Sequence, residues 1–385
     1  RSRPRTTLER IPSRTRPTTL RQVERLEETS SVQLLIREVL LAGGMIVILI
    51  FALYAHTGSM PPLVVVESSS MIHDIEGEIG SIDAGDWVEV LDSDDNFICV
   101  GHFTPGSIAV RVLSYEKLSD KEAFYFQKIN AAFNYRQSLN LFDENTNIYR
   151  LVFGEGDALP GLIVDNYDGN LVIQCHSAGM QNDVHLIADA LKKLPIGIST
   201  IYVKHEKEGE FLLGDTGTAS ALENGNQFLI NWQSGQKTGF FIDQRENRKL
   251  LGEFSKDKNV LNVFSYTGGF SVYALKNGAS KVVSVDLSAD AIEMANKNAE
   301  LNGVSTNHEG YAVDAFEYLK NEAINYDVVV LDPPAFAKRR NAIHNAVQGY
   351  KRLNALAMKK MKKGSILFTF SCSQNISRQL FNDTV

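Results

Sequence analysis

Cysteine is scarce: three in 385 residues, Cys99, Cys175 and Cys372, odd in number and far apart. That excludes a disulfide framework and offers no zinc-ligand spacing, so no metal site is expected. It fits a reducing compartment, where a lone thiol is either an inert hydrophobe or a reactive group. Lysine is absent from residues 1–87, which hold nine arginines, whereas residues 88–385 hold 21 lysines and nine arginines. The net charge of −7 speaks against indiscriminate polyanion binding and leaves room for local basic patches. A GxGxxG fingerprint is missing, which weakens a nicotinamide-dinucleotide reading. The length suffices for two or three domains, each with its own core.

The change in cation usage divides the chain. Residues 1–38 are rich in Arg, Thr and Pro with few large apolar side chains, and are expected to be disordered. "VLLAGGMIVILIFALYA", Val39–Ala55, has no charge in 17 residues. Residues 39–56 therefore read as a transmembrane helix that could anchor the chain, its arginine-rich flank keeping the N-terminus cytoplasmic. Residues from about 20 to 86, with 57–86 and its "VVVESSSM" as the segment after the span, resemble the start of archaeal and endoplasmic-reticulum type I signal peptidases. That likeness maps the family's serine nucleophile onto Ser70. A serine needs a base, yet neither the family's His- nor its Asp-bearing segment follows Asp86, and His73 is too near in sequence to serve.

After Asp86 the text turns to strands. Trp87–Leu91 and Phe97–His102 flank the acidic turn "DSDDN", a third run follows at Ser107–Leu113, and 87–116 reads as part of a small β-barrel. A helix capped at Ser119 then opens residues 117–245, where strand-strand-helix-strand-strand suggests a central α+β domain. Cys175, His176 and His205 read as structural there. Over 246–385 the rhythm becomes strand, glycine turn, helix, repeated, which is the opening of a doubly wound, Rossmann-like α/β fold.

Chemistry gathers at the strand ends of that last region. Gly268 and Gly269 end the first strand and let backbone approach a ligand. Asp286 closes the second, where a carboxylate can hold two ribose hydroxyls. Asp314 follows the third, where an adenine amine would be held. "YDVVVLDPPAFAKRR" then ends a strand in Asp332-Pro333-Pro334-Ala335-Phe336, a feature of S-adenosylmethionine enzymes that act on planar nitrogen rings. The prolines stiffen the turn and leave carbonyls free to accept from an exocyclic amine. Phe336 offers a stacking face, and Asp332 can bond a ring nitrogen. Lys338, Arg339 and Arg340 are candidate phosphate contacts, with Lys351 and Arg352 beyond them. "FTFSCSQ" ends the fifth strand at Cys372, beside Asp332. Carbon 5 of cytosine becomes nucleophilic only after a thiolate adds to carbon 6, a role that suits Cys372. Three other readings stay open. One is an RNA amino-methyltransferase with Cys372 a bystander; another is a membrane-anchored signal peptidase fragment; the third is an RNA-binding remnant without activity.

"GDWVEVLDSDDNFICVGHF", "RLVFGEGDALPGLIVDNYDGNLVIQ", "GQKTGFFIDQRENR", "NVFSYTGGFSVYAL", "DPPAFAKRR" and "FTFSCSQ" together resemble the RlmI-type large-subunit (23S) rRNA cytosine-5 methyltransferases. The resemblance runs from about Gly85 to the end. It implies a PUA domain, here partial over 87–116, a central α+β domain and a Rossmann-like catalytic domain that uses S-adenosylmethionine on 23S rRNA in the cytoplasm. It also implies Cys372 as nucleophile and Asp332 as the residue orienting the cytosine. Phe264, Tyr266, Gly268, Gly269, Asp286, Asp314 and Asp332 would line the cofactor site, and Arg245 would meet the cofactor's carboxylate. The family pattern begins before Gly85 and continues past Val385. The expectation is therefore a truncated catalytic sheet behind a foreign N-terminal segment.

Overall fold

The computed structural model describes residues 82–385, apart from 207, 322–324, 338 and 340–341. The expected disordered segment, the membrane span 39–56 and Ser70 lie outside the described residues. Among those described, no helix is long and apolar enough to cross a membrane.

Strands β1 (Trp87–Leu91), β2 (Phe97–Phe103) and β3 (Val110–Ser114) form an antiparallel sheet in that order. The turn between the first two is tied by Asp92, whose Oδ1 accepts the backbone N–H groups of Asp94 and Asn96, each at 2.9 Å. The third strand starts later than expected. Residues 104–109, with Pro105 and Gly106, close a turn through the N–H of Thr104 and the carbonyl of Ala109 at 2.8 Å. Helix α1 (Lys121–Ser138) is capped by Asp120 rather than Ser119, its carboxylate accepting from the Ala123 N–H at 3.1 Å.

Strands β4 (Ile148–Phe153), β5 (Leu162–Tyr167), β6 (Asn170–Cys175), β7 (Thr200–Val203) and β8 (Glu210–Leu213) make the central sheet in sequential order. Only β6 and β7 run parallel. A parallel pair needs a crossover, supplied by α2 (Ala178–Asn182) and α3 (Val184–Lys192). A single helix was expected there, but it breaks at Asp183. β9 (Thr218–Glu223) and β10 (Asn226–Asn231) form a separate hairpin. Its Asn224-Gly225 turn has φ of +49° and +73°, the left-handed pair that a tight two-residue turn requires.

After α4 (Arg245–Glu253) the chain alternates. β11 (Asn259–Val263) leads to α5 (Gly269–Lys276), β12 (Lys281–Asp286) to α6 (Ala289–Leu301), and β13 (His308–Ala312) to α7 (Ala315–Asn321). β14 (Val328–Leu331) precedes α8 (Ile343–Lys360), and β15 (Ile366–Thr369) precedes α9 (Arg378–Thr384). The five strands are all parallel, in the order β13-β12-β11-β14-β15. "VVVL" of β14 is buried throughout, as expected for a strand covered on both faces. This order places the carboxyl ends of β11, β14 and β15 side by side.

One buried carboxylate explains the break at Asp183. Its Oδ2 accepts from Trp87 Nε1 at 2.6 Å and the Tyr125 hydroxyl at 2.6 Å, and meets His102 Nε2 at 3.0 Å. Burial alone would raise this carboxyl, but the three partners outweigh it and hold Asp183 below the usual range. Gly179 makes room, since a Cβ there would lie 2.0 Å from the His102 ring. The first sheet, α1 and the α2–α3 turn thus meet on one residue. Asp183→Ala leaves those donors unpaired, at about 1–3 kcal/mol for each buried group. We expect an early unfolding transition confined to residues 82–138, read by limited proteolysis, with S-adenosylmethionine affinity unchanged.

Candidate active site

The cofactor side is built from turns at the carboxyl ends of β11, β12 and β13. Phe264 (φ +61°) and Tyr266 (φ +46°) both adopt the left-handed region, each at a cost of about 1–3 kcal/mol that marks functional backbone. Gly268 (φ +79°) precedes the first turn of α5. A Cβ on Gly268 would lie 2.8 Å from Ala295 Cβ, and one on Gly269 3.1 Å from Arg248 Cδ. The two glycines therefore serve helix and side-chain packing as well as ligand approach. Asp286 ends β12 and orients the turn, its Oδ2 accepting the Tyr266 N–H at 2.9 Å and its Oδ1 the Ser288 N–H at 3.0 Å. Asp314 Oδ1 accepts from the N–H groups of Phe316 (2.9 Å) and Glu317 (3.0 Å), capping α7.

These residues fit a nucleoside cofactor. A strained glycine turn and a fixed carboxylate stand at the ends of adjacent parallel strands, and each carboxylate oxygen keeps a further lone pair for a hydroxyl. Arg245 is a correction. Its guanidinium bonds the carbonyls of Leu141 (3.1 Å) and Ile148 and reaches Glu223 Oε2 at 3.5 Å, so it braces the domain junction rather than facing a ligand.

The reacting side lies where β14 and β15 end. Asp332 follows β14 and accepts from Gln244 Nε2 at 3.2 Å. Desolvation, then the charge of Asp243, push its carboxyl up to about 6, against the opposing pull of Arg248, Lys237 and Gln244. Cys372 is exposed, whereas Cys99 is buried and Cys175 half-buried. Its Sγ faces the Pro333 carbonyl at 3.6 Å. Partial desolvation and then the Asp332 charge raise the thiol, and Lys237 opposes both.

The flanking serines explain the outward thiol. Ser371 and Ser373 both turn toward Tyr350, with hydroxyl contacts of 3.0 and 2.9 Å, and Ser373 Oγ also accepts the Ala337 N–H at 3.2 Å. The cysteine turn and the proline loop are thereby tied together. Phe336 departs from expectation, since its ring packs against Tyr350 at 4.7 Å and forms a wall of the loop rather than a free stacking face. Pro333 is buried, and Pro334 and Arg339 are exposed, while Lys338 and Arg340 lie outside the described residues.

Lys237, Asp243 and Gln244 were not singled out from sequence. All three stand in "GQKTGFFIDQRENR", whose paired charges and glycines were the available signal. The structure brings Gln244 onto Asp332 and sets Lys237 over the Phe241 ring at 4.4 Å.

Fold and site together define a class I S-adenosylmethionine-dependent methyltransferase with a PUA-like module ahead of it. The S-adenosylmethionine-dependent methyltransferase family matches residues 201–380, and a PUA-like domain matches residues 68–115. "Ribosomal RNA large subunit methyltransferase I" of Aeromonas salmonicida is 38% identical over 319 residues, 78% of this chain and 80% of that protein. The protein of the same name from Vibrio vulnificus is 35% identical over 325 residues, 80% of this chain and 81% of that protein. The chain belongs to the ribosomal RNA large subunit methyltransferase I family. A solved S-adenosylmethionine-dependent methyltransferase from Streptococcus mutans shares the fold, with a TM-score of 0.69 at 23% identity over 79% of this chain and 82% of that one. The PUA-like match begins at residue 68, inside the stretch likened to a signal peptidase. That match takes in Ser70, and the peptidase resemblance finds no support in these comparisons.

Asp286→Ala removes two charge-assisted acceptors from the cofactor turn, each worth about 1.5–3 kcal/mol. We expect at least a tenfold loss of S-adenosylmethionine affinity in a calorimetric titration, from protein whose melting shows it folded.

Proposed function

We propose that this chain methylates carbon 5 of a cytosine in large-subunit (23S) ribosomal RNA, through a covalent bond between Cys372 and the base. The observation that carries the reading is the meeting of an exposed thiol and a half-buried carboxylic acid at neighbouring strand ends, with Cys372 Sγ 3.6 Å from the Pro333 carbonyl. A bystander cysteine would gain nothing from facing outward, because free cysteine is ordinarily among the most buried residues.

Cys372, as thiolate, adds to carbon 6, and the bonding pair of the carbon 5–carbon 6 double bond becomes available at carbon 5. Asp332, in its acid form, donates to ring nitrogen 3 and makes carbon 6 electrophilic. S-adenosylmethionine, when bound, supplies an electrophilic methyl group, and Gly268, Asp286 and Asp314 would hold it. Carbon 5 takes up the methyl group, with S-adenosylhomocysteine as the leaving group. Loss of the carbon-5 proton to solvent then restores the double bond and expels the Cys372 thiolate, and ring nitrogen 3 gives its proton back to Asp332, leaving the enzyme unchanged. A base in folded RNA reaches such a pocket only unpaired or flipped out. Exposed Arg339, with Lys351 and Arg352 of α8, would take the phosphates near it. Membrane attachment finds no support and is not part of this reading.

RNA tritiated at cytosine carbon 5, incubated with S-adenosylmethionine, should release tritium with the parent chain and none with Cys372→Ala. Methyl incorporation without tritium loss would instead move the reaction to nitrogen or oxygen.

The pH profile supplies a second test. The productive pair holds one proton, on Asp332 and not on Cys372. Below about 6 both groups are protonated, and above the raised thiol value neither is. The rate should therefore be level between those limits and fall outside them. In Asp332→Asn the rate should follow the thiolate alone, rising about tenfold per pH unit across the same range. A parent profile that rises in the same way would remove Asp332 from the proton inventory.

A further inference from the structure

Lys204 follows β7 in the central domain, and its backbone N–H continues the parallel ladder to the Ile173 carbonyl at 2.8 Å. Its ammonium crosses to the segment between β10 and α4, where it donates to the carbonyls of Trp232 (2.7 Å) and Gly235. Desolvation lowers this lysine's pKa. A half-buried cation whose donors are spent on two main-chain carbonyls is fixed in place rather than left in solvent, and the segment it holds is the one that reaches Asp332.

The rest of that segment is fastened just as closely. Thr238 is fully buried and donates to Asp165 Oδ2 at 2.6 Å, beside the Tyr167 hydroxyl at 2.9 Å. Tyr266, on the strained cofactor turn, accepts from the Gln236 N–H at 2.9 Å and donates to the Gly239 carbonyl at 3.1 Å. Lys237 (φ +48°) and Gly239 (φ +114°) bend the chain between these fastenings. At the far end the Gln244 side chain is itself oriented, its Oε1 accepting from Asn247 Nδ2 at 2.6 Å while its Nε2 donates to Asp332.

We propose that Lys204 is a positioning residue of the methyl transfer, anchoring Trp232–Gln244 to the central sheet so that the Gln244 amide meets the Asp332 carboxyl. The central domain is then a part of the catalytic apparatus and not merely a spacer before it. The assignment rests on the reaction proposed for Asp332, and it gives a measurable link between residues on different domains.

The test uses the full chain and compares Lys204→Met, Lys204→Arg, Gln244→Ala and the Lys204→Met/Gln244→Ala pair. Misplacing a reacting group by about 1 Å costs up to a hundredfold in rate. Lys204→Met should accordingly lower kcat about ten- to a hundredfold, with KM for RNA and for S-adenosylmethionine changed less than about threefold. The acid limb of its pH profile should move upward, as in Gln244→Ala, because both lose the donor that favours ionised Asp332; the fall in kcat comes from the lost orientation of the carboxyl and outweighs that gain in acid form. The double variant should be no slower than the slower single one, since the two residues act in series. Lys204→Arg, which keeps cation and donors, should recover most of the rate.

Additive losses in the double variant, or a fall in melting temperature with kcat and acid limb unchanged, would overturn the proposal. Amide exchange of residues 233–244 is read without turnover. Lost protection in Lys204→Met would support the anchor even if the parent transferred no methyl group, a result that counts only against the reaction. Unchanged protection would sink the anchor whatever the activity.

Discussion

Glu223 and Arg248 form the contact on which both halves of the enzyme depend. Glu223 is fully buried and Arg248 nearly so, and the pair is bidentate, with Nε at 2.8 Å from Oε1 and Nη2 at 2.7 Å from Oε2. The Tyr273 hydroxyl adds a third donor at 3.0 Å, so the carboxylate is surrounded. Such a pair contributes little net stability when intact, yet breaking it strands a buried charge at about 3–5 kcal/mol. Its value here is geometric. Glu223 ends β9, Arg248 sits on α4 and Tyr273 on α5, so a hairpin and two helices are fixed to one point.

From that point the guanidinium reaches both sides of the site. Arg248 Nη1 donates to the Phe241 carbonyl at 2.9 Å, just before the turn that delivers Gln244, and its plane lies over Phe240 at 4.6 Å. Its Cδ is the atom that would crowd a side chain at Gly269, at 3.1 Å from a Cβ there. One residue therefore sets the start of the cofactor helix and the entry of the loop that bonds Asp332. Its positive charge also opposes the rise of that carboxyl. A small shift of Arg248 would be felt in cofactor binding and in proton affinity at once.

The parallel sheet was legible because its signal is local. The first four strands reach glycine or aspartate within five residues of their ends and the fifth runs into Ser371-Cys372-Ser373, so Gly268, Asp286, Asp314, Asp332 and Cys372 stood out in the sequence as candidates. What sequence hid was which partner each polar group takes. Arg245 and Arg248 lie three positions apart on one helix and look equivalent, yet Arg248 holds Glu223 with two short bonds while Arg245 spends itself mainly on the Leu141 and Ile148 carbonyls and meets Glu223 only at 3.5 Å. Asp183 reads as an ordinary helix residue, and only the fold brings Trp87, His102 and Tyr125 onto it from 58 to 96 residues away. Gln244 and Lys204 escaped for the same reason, since a hydrogen bond between segments far apart in sequence leaves no periodicity in the chain.

The position of the thiol shows how a local rule and a distant partner combine. Ser371, Cys372 and Ser373 follow the end of β15, and the Ser373 N–H folds back toward Ser371 Oγ at 3.4 Å. Sequence alone does not say which of these side chains faces inward. Tyr350, fully buried on α8, decides it by bonding both serines, and Ser373 also holds the proline loop through Ala337. With both hydroxyls drawn inward, the cysteine between them is turned toward Pro333 and solvent. Tyr350 and the two serines thus leave the sulfur on the outer side, which is the presentation that the reaction proposed for Cys372 needs.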